Sequence, residues 1–214
     1  MMATWFRGAA FAAVVGLAIG GGVGGAAAQA TSPDAAKKFI NDMGNRAVAT
    51  LAKVGDLGMR NQEFTRLMLD ALDFDALANY TLGKMARTVT PENKKEFTRL
   101  FAAHVIDVAI EKFGNIQVNA FAIGGTRSEP NGDIKVNTVI DRAGDKPLNV
   151  DWRVRSSDGA TKINDLEVEG YSLATHYRGE FERAGVSTVT GLIGKLKDMT
   201  KDSVSLAAVQ QAMK

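Results

Sequence analysis

Gly170-Tyr171-Ser172-Leu173-Ala174 has the G-x-S-x-A form of a nucleophile elbow, the sharp strand-to-helix turn that presents a serine hydroxyl for attack on a carbonyl. Such a serine needs an imidazole in line with its hydroxyl to take the proton. The one histidine that follows is His176, four residues on. On a helix, residues four apart lie one above the other on the same face, which does not place the ring in line with the hydroxyl. The elbow also belongs to a parallel α/β sheet, and the strands of this chain are joined by short turns that suit antiparallel pairing. Ser172 therefore reads as the cap of the helix that follows it.

Metal and phosphate chemistry have less support. The chain contains no cysteine, and its two histidines, His104 and His176, lie far apart in sequence without an H-E-x-x-H pattern. His104 falls on an apolar helix, where a core or boundary role is expected. Asp73 and Asp75 suit a helix start. Gly191-Leu192-Ile193-Gly194-Lys195 lacks the first glycine and the final Ser/Thr of a phosphate loop. A cavity enzyme acting on a small apolar substrate would need a buried acid or base, for which Asp165 and Asp151 are the nearest candidates. Asp151 falls on the polar face of its strand. No catalytic residue, metal ligand or cofactor is expected, and the chain is not read as an enzyme. A formal net charge of +2, with 23% charged and 45% hydrophobic residues, describes an ordinary globular protein without the basic stripe that nucleic acid requires.

The elements that position these residues fall into two halves. Ser32-Pro33 predicts a capped helix start with proline in the first turn, followed by Phe39, Met43, Ala47 and Leu51 near helical spacing. Phe64, Leu67, Met68, Ala71 and Leu72 predict a second helix. Asp73-Phe74-Asp75 caps a third, stopped by Gly83. Thr90-Pro91-Glu92 opens a fourth that carries Phe97, Phe101, Val105 and Val108 on one stripe.

Residue period then changes from helical to alternating. Ile134, Val136, Thr138 and Ile140 alternate with polar partners after the turn Asn131-Gly132-Asp133. Leu148, Val150, Trp152 and Val154 do so against Asn149, Asp151, Arg153 and Arg155. Ser157-Asp158-Gly159 turns into a strand at 161–169, whose phase slips at Asn164-Asp165 and so predicts a bulge. A weaker strand is expected at 116–123. Helices are predicted again over 173–183 and 189–199, and the segment beyond Thr200 carries little signal. The order of elements predicts an α+β fold: a twisted antiparallel sheet with helices packed on one face.

The amino terminus predicts export. Arg7 precedes an uncharged run over 8–23, and Ala28-x-Ala30 or Ala26-x-Ala28 offers a small-residue cleavage site, the parts of a signal peptide. Residues 1–30 are thus expected to be removed on the way to the periplasm. The run is short and glycine-diluted for a membrane span of about 20 residues.

Two blocks resemble a known family. Phe74-Asp75, Leu82-Gly83-Lys84, Arg87-Thr88, Thr90-Pro91 and Phe97 are similar to the L-G-(K/R)-x-W-R-x-A-T-P block of the MlaC/toluene-tolerance family of periplasmic lipid-binding proteins. Val150-Asp151-Trp152-Arg153-Val154, Lys162-Ile163-Asn164-Asp165, Glu169-Gly170-Tyr171-Ser172-Leu173 and Tyr177-Arg178-Gly179-Glu180-Phe181 resemble its V-D-W-R-V … K-I-x-D-V-x-V-E-G-V-S-L … R-x-E-F block. The similarity runs over about 35 to 200, nearly the whole chain after the signal peptide. It implies an NTF2-like fold with a deep apolar pocket. It also implies a monomeric carrier whose cargo is a phospholipid or hopanoid-like lipid; a hopanoid-associated branch, HpnM, belongs to the same family. The implied partners are an inner-membrane ABC transporter with an MCE-type ring and an outer-membrane lipoprotein complex. In this reading 31–114 form a helical half, 115–170 the sheet half, 171–200 closing helices and 201–214 a tail.

The side chains expected to face the pocket are Leu77, Leu82, Met85, Phe101 and Val105 from the helices, and Phe121, Val136, Trp152, Leu166, Val168, Tyr171, Leu173 and Tyr177 from the sheet and the helix after it. Lys84, Arg87 and Arg178 are expected at the pocket mouth or on a partner surface. The chain departs from the family where Ala86 replaces a tryptophan and Ala109 a tyrosine, which predicts a wider pocket or one shaped for another lipid. A ligand-free periplasmic adaptor is the remaining alternative.

Overall fold

The computed structural model describes residues 31–53, 55–114, 117–157 and 159–214. The expected signal peptide over 1–30 with its Arg7, together with Ile116 and Asp158, lies outside the described residues. Helix α1 spans Pro33–Leu51, with the Ser32 hydroxyl accepting from the Ala35 N–H at 3.2 Å. Helix α2, Leu57–Ala71, starts about two turns earlier than its apolar pattern suggests, because Asp56 caps it through the Met59 N–H. Its first residues Leu57 and Met59 face solvent and so carry no buried stripe to read.

Asp73 caps α3, Phe74–Leu82, which Gly83 ends at a positive φ of 54° before a 3₁₀ turn over Gly83–Arg87. Thr90 and Pro91 open α4, Pro91–Phe113, the long helix at the centre of the molecule. The cap side chains predicted from the sequence at Ser32, Asp73 and Thr90 each accept the expected backbone N–H.

Five strands follow in one antiparallel sheet ordered β1-β2-β3-β4-β5: Val118–Ser128, Ile134–Arg142, Leu148–Ser157, Ala160–Val168 and Tyr171–Ser172. Strand β1 continues five residues past its predicted end, across Gly124-Gly125. There the register shifts, and a Cβ on Gly124 would lie 2.6 Å from the Asn137 amide oxygen. The glycine pair acts as a bulge in the fold. The phase slip in β4 is also a bulge, since Arg153 pairs with Asp165 while Val154 pairs with Ile163, leaving Asn164 extra.

Val136, Trp152 and Leu166 lie directly across from one another on the sheet face that the helices cover. On the opposite face Lys135 pairs with Glu167 at 2.8 Å, and Arg153 reaches the same Glu167 at 3.1 Å. Helix α1 lies across β1, β2 and β3, and β4 is tied to the α2–α3 junction by the Asp73 N–H donating to the Ile163 carbonyl at 2.8 Å. Helices α5, Leu173–Arg183, and α6, Val189–Met199, close the helical side.

The segment expected to be a tail contains helix α7, Leu206–Ala212. It docks on α4 and α2, burying Val209 completely. Ser205 fixes its start by donating its hydroxyl to the Ala103 carbonyl and its N–H to Asp107, both at 3.1 Å. Seven residues with two apolar anchors give too short a pattern to stand out in sequence.

Candidate functional site: an apolar cavity

Three layers of side chains at helical or strand spacing leave a space between them. Helix α1 contributes Met43, Gly44, Ala47, Val48 and Leu51, and α4 contributes Val105, Val108, Ala109, Lys112 and Phe113. Each set is one face of its helix. Phe64 and Met68 of α2 enter from the side, and Leu173 and Tyr177 of α5 close the inner end. The sheet supplies Val118, Phe121, Ile140, Val150, Trp152, Leu166 and Val168. The enclosed volume is about 280 Å³, just below the range of about 300–1,000 Å³ for pockets that hold drug-sized ligands.

The lining presents hydrocarbon because its few polar atoms are turned away or neutral. The Trp152 indole N–H donates to the Thr138 hydroxyl at 2.9 Å, and that hydroxyl donates to the Val150 carbonyl at 3.1 Å. The polar edge of the ring is therefore satisfied within the sheet, and its apolar surface is left to the cavity. Burial pushes the Tyr177 phenol up to about 12, helped by the negative charge of Glu180, so it stays neutral. Among the described residues that line it, Lys112 is the one charged side chain and none is acidic. Gly44 is required by a close approach: a Cβ there would meet the Phe121 ring at 2.3 Å, so glycine lets the ring seat against the α1 backbone.

The sequence-derived pocket residues divide. Val105, Phe121, Trp152, Leu166, Val168, Leu173 and Tyr177 line the cavity. Leu77, Leu82, Phe101 and Val136 do not; they are at most 2% exposed and form solid core. The inward stripe of a helix and the wall of a pocket have the same spacing, and these four fall where the layers close. Met85 sits on the 3₁₀ turn, packed against that core and away from the cavity. Tyr171 is corrected outright: it is 80% exposed, because Glu169 and Gly170, both at positive φ, turn the short β5 outward.

The basic residues are also placed differently from the pocket-mouth reading. Lys84 and Arg87 are exposed on the 3₁₀ turn, and the Arg178 guanidinium lies 5.7 Å over the Tyr80 ring while pairing with Glu182 at 3.1 Å. None of the three lines the cavity. Of the two alanines, Ala109 lines it and Ala86 does not. Residues of α1 were absent from the sequence-derived pocket. Their signal was present as the stripe Met43, Ala47 and Leu51, but nothing local marks a stripe as wall rather than core.

Catalytic alternatives find no geometry. The Ser172 hydroxyl accepts from the Thr175 N–H at 3.1 Å as a cap and donates to Asp165 at 2.7 Å. The other Asp165 oxygen accepts from the Ala174 N–H at 3.1 Å. This carboxylate is buried and engaged in fixing the β4–α5 junction, and it does not line the cavity. His104 is half-buried and packs edge-on to Tyr177 at 5.4 Å; burial lowers its pKa, against the raising effect of Asp107. Among the described residues no group of three or more His, Asp or Glu side chains is arranged to hold a metal, and no helix is long and apolar enough to cross a membrane.

Comparison with known proteins agrees with this architecture. The family model described as MlaC protein matches residues 37–198. Among solved structures, the phospholipid-binding protein from Ralstonia solanacearum in complex with a phospholipid superposes with a TM-score of 0.69 at 21% identity, covering 80% of this chain and 98% of that one. At that identity the likeness establishes the fold. No curated protein matches.

Proposed function

The chain belongs to the MlaC family, and from that premise we propose that it is a periplasmic carrier that holds the acyl tails of a phospholipid in the cavity between α1, α4 and the sheet. The observation that carries the proposal is the lining itself: apolar side chains from four helices and four strands converge on a space whose described lining holds no acid and a single charged side chain, Lys112. A wall that is almost entirely hydrocarbon selects hydrocarbon. A diacyl phospholipid exposes on the order of 30 methylenes, and at about 0.8 kcal/mol each their contact with water costs about 24 kcal/mol. Unaided passage between two membranes is negligible at that cost, and an apolar interior inside a water-compatible shell removes it. The phospholipid bound by the Ralstonia solanacearum protein, which has the same fold, supports this choice of cargo.

In this reading the protein is exported by its first 30 residues and serves as the diffusing component of an ABC transport system. It exchanges cargo with an inner-membrane complex bearing an MCE-type ring and with an outer-membrane lipoprotein complex. The surface formed by Lys84, Arg87, Tyr80 and Arg178 is a candidate contact for such a partner. A cavity of about 280 Å³ is small for two full acyl chains, so loading widens it, with α1 and the sheet moving apart. A hopanoid-like cargo is the alternative that Ala109 favours, since it leaves space where the family resemblance implies a tyrosine. Native mass spectrometry of the protein purified from the periplasm, followed by identification of the released lipid, tests the proposal. A one-to-one complex with phospholipid is expected, and protein that neither carries nor takes up any lipid would overturn it.

A further inference from the structure

The cavity is electrically lopsided. Its inner end, at Trp152, Leu166 and Tyr177, carries no charge, and its outer end, at the carboxyl terminus of α4, carries the ammonium of Lys112. Lys112 lines the rim with its side chain 65% exposed, and its nearest acid, Glu111, stands 3.3 Å away and is itself 73% exposed. Such an exposed pair is weak and leaves the ammonium free to turn.

Arg60 lies just behind. It is one helical turn before the cavity-lining Phe64, is 9% exposed, and donates to the Gly114 carbonyl at 2.9 Å. Gly114 directly follows the cavity-lining Phe113. The other acceptor for Arg60 is the neutral Asn61 side chain, and among the described residues the guanidinium makes no ion pair. The carboxyl end of α4 offsets it by only about half a unit charge. A buried guanidinium with half its charge uncancelled, beside a rim lysine, makes this end of the cavity attractive to an anion.

We propose that Lys112, reinforced by Arg60, binds the phosphate of the cargo's headgroup, so that lipid enters tails first and is held with its headgroup at the α4 carboxyl end. This rests on the carrier reading and adds an orientation and a preference to it. Val105 and Lys112 are seven residues apart on α4, about 10 Å of helix, so the rim cation stands well away from the inner wall that the tails meet.

The test compares three soluble probes on the exported protein freed of lipid: dioctanoyl phosphatidylglycerol, dioctanoylglycerol with the same tails, and glycerol phosphate with none. The expected result is tighter binding of the phosphatidylglycerol by the native protein. Lys112→Gln should weaken that binding by about fivefold, the contribution of one cation near a lipid surface. It should change dioctanoylglycerol binding much less, and Lys112→Arg should restore the preference. Equal binding of the two lipids, or an equal effect of Lys112→Gln on both, would overturn the rim site while leaving the carrier intact. Glycerol phosphate binding as tightly as the lipid would replace the headgroup with a free phosphate and overturn it as well. Failure of the native protein to bind either lipid would overturn the rim site and the carrier together. Lys112 is exposed and makes one weak contact, so its variants are expected to fold.

Discussion

The two halves of helix α4 meet different interiors. In its first half Phe97 stacks on Phe101 at 5.7 Å, Phe101 meets Tyr177 edge-on at 5.1 Å, and Phe181 closes against Phe97 at 6.0 Å. Phe97, Phe101, Ala102 and Ala103 are fully buried. In its second half Val108, Ala109 and Phe113 also point inward, yet they are only half-buried, because the surface they present belongs to a hollow. Tyr177 stands on the boundary, one edge in the aromatic cluster and one in the cavity. A solid region that fixes the fold thus stands beside a hollow one, where packing is left incomplete for something else to finish.

Matched leucines give the largest expected contrast. Leu77→Ala, in the solid half, should cost about 3 kcal/mol or more of unfolding free energy, within the range for a fully buried leucine. Leu166→Ala, in the hollow wall, should cost about 1 kcal/mol, because its side chain already lacks neighbours on one side. Urea unfolding of both variants measures the difference. Equal losses would mean that the hollow is packed as tightly as the core in solution.

Asp165 belongs to the solid side although it is charged. Its oxygens accept from the Ser172 hydroxyl and the Ala174 N–H and face Arg153 at 3.7 Å. Asp165→Asn exchanges one acceptor for a donor and should cost about 2 kcal/mol, the usual value of a hydrogen bond to a charged group. Lipid loading should not change. A variant of native stability that had lost a turnover activity would instead favour the cavity enzyme.

The sequence made the solid region more legible than the hollow one, and the reason is physical. Caps and bulges are local: Ser32, Asp73, Thr90 and the Asn164 slip each declare themselves within a few residues and stand where expected. A cavity is a failure of distant layers to meet. Val105 and Phe101 share one stripe and one turn of helix, and only the approach of α1 and the sheet makes one wall and the other core. Val136 and Trp152 pair directly across the sheet and still differ in the same way. Tyr171 was misplaced for another reason, since its direction depends on the backbone of Glu169 and Gly170 and not on alternation. Helix α7 escaped because its stability comes from the Ser205 bonds to α4 rather than from its own pattern.

Inserting the same side chain on each side sharpens the contrast. Ala109→Tyr should fill the hollow and reduce lipid affinity about tenfold, equivalent to about 1.4 kcal/mol, with little change in unfolding free energy. Ala102→Tyr, about two turns earlier on α4, should leave no folded protein to load or should destabilise it by about 3 kcal/mol. Native mass spectrometry after incubation with excess phospholipid reads the first, and thermal unfolding the second. Undiminished loading of Ala109→Tyr would show that cargo does not reach α4.

The smallest effect expected is at the boundary, where His104 packs on Tyr177 between the two regions. Burial lowers its pKa below the ordinary 6.5, and the Asp107 carboxylate only partly opposes this. The folded protein therefore favours the neutral ring, whereas the unfolded chain accepts a proton first as pH falls. Stability from this residue is complete above about pH 6.5 and is lost as pH drops from there through the lowered value of the folded state. Urea midpoints measured from neutral pH into the acid range should fall less for His104→Gln than for the native protein. The ring keeps part of its surface exposed, so the difference should be modest. An identical acid-side slope in both proteins would mean that water reaches His104 freely. The dry boundary between core and cavity would then begin deeper, at Tyr177 itself.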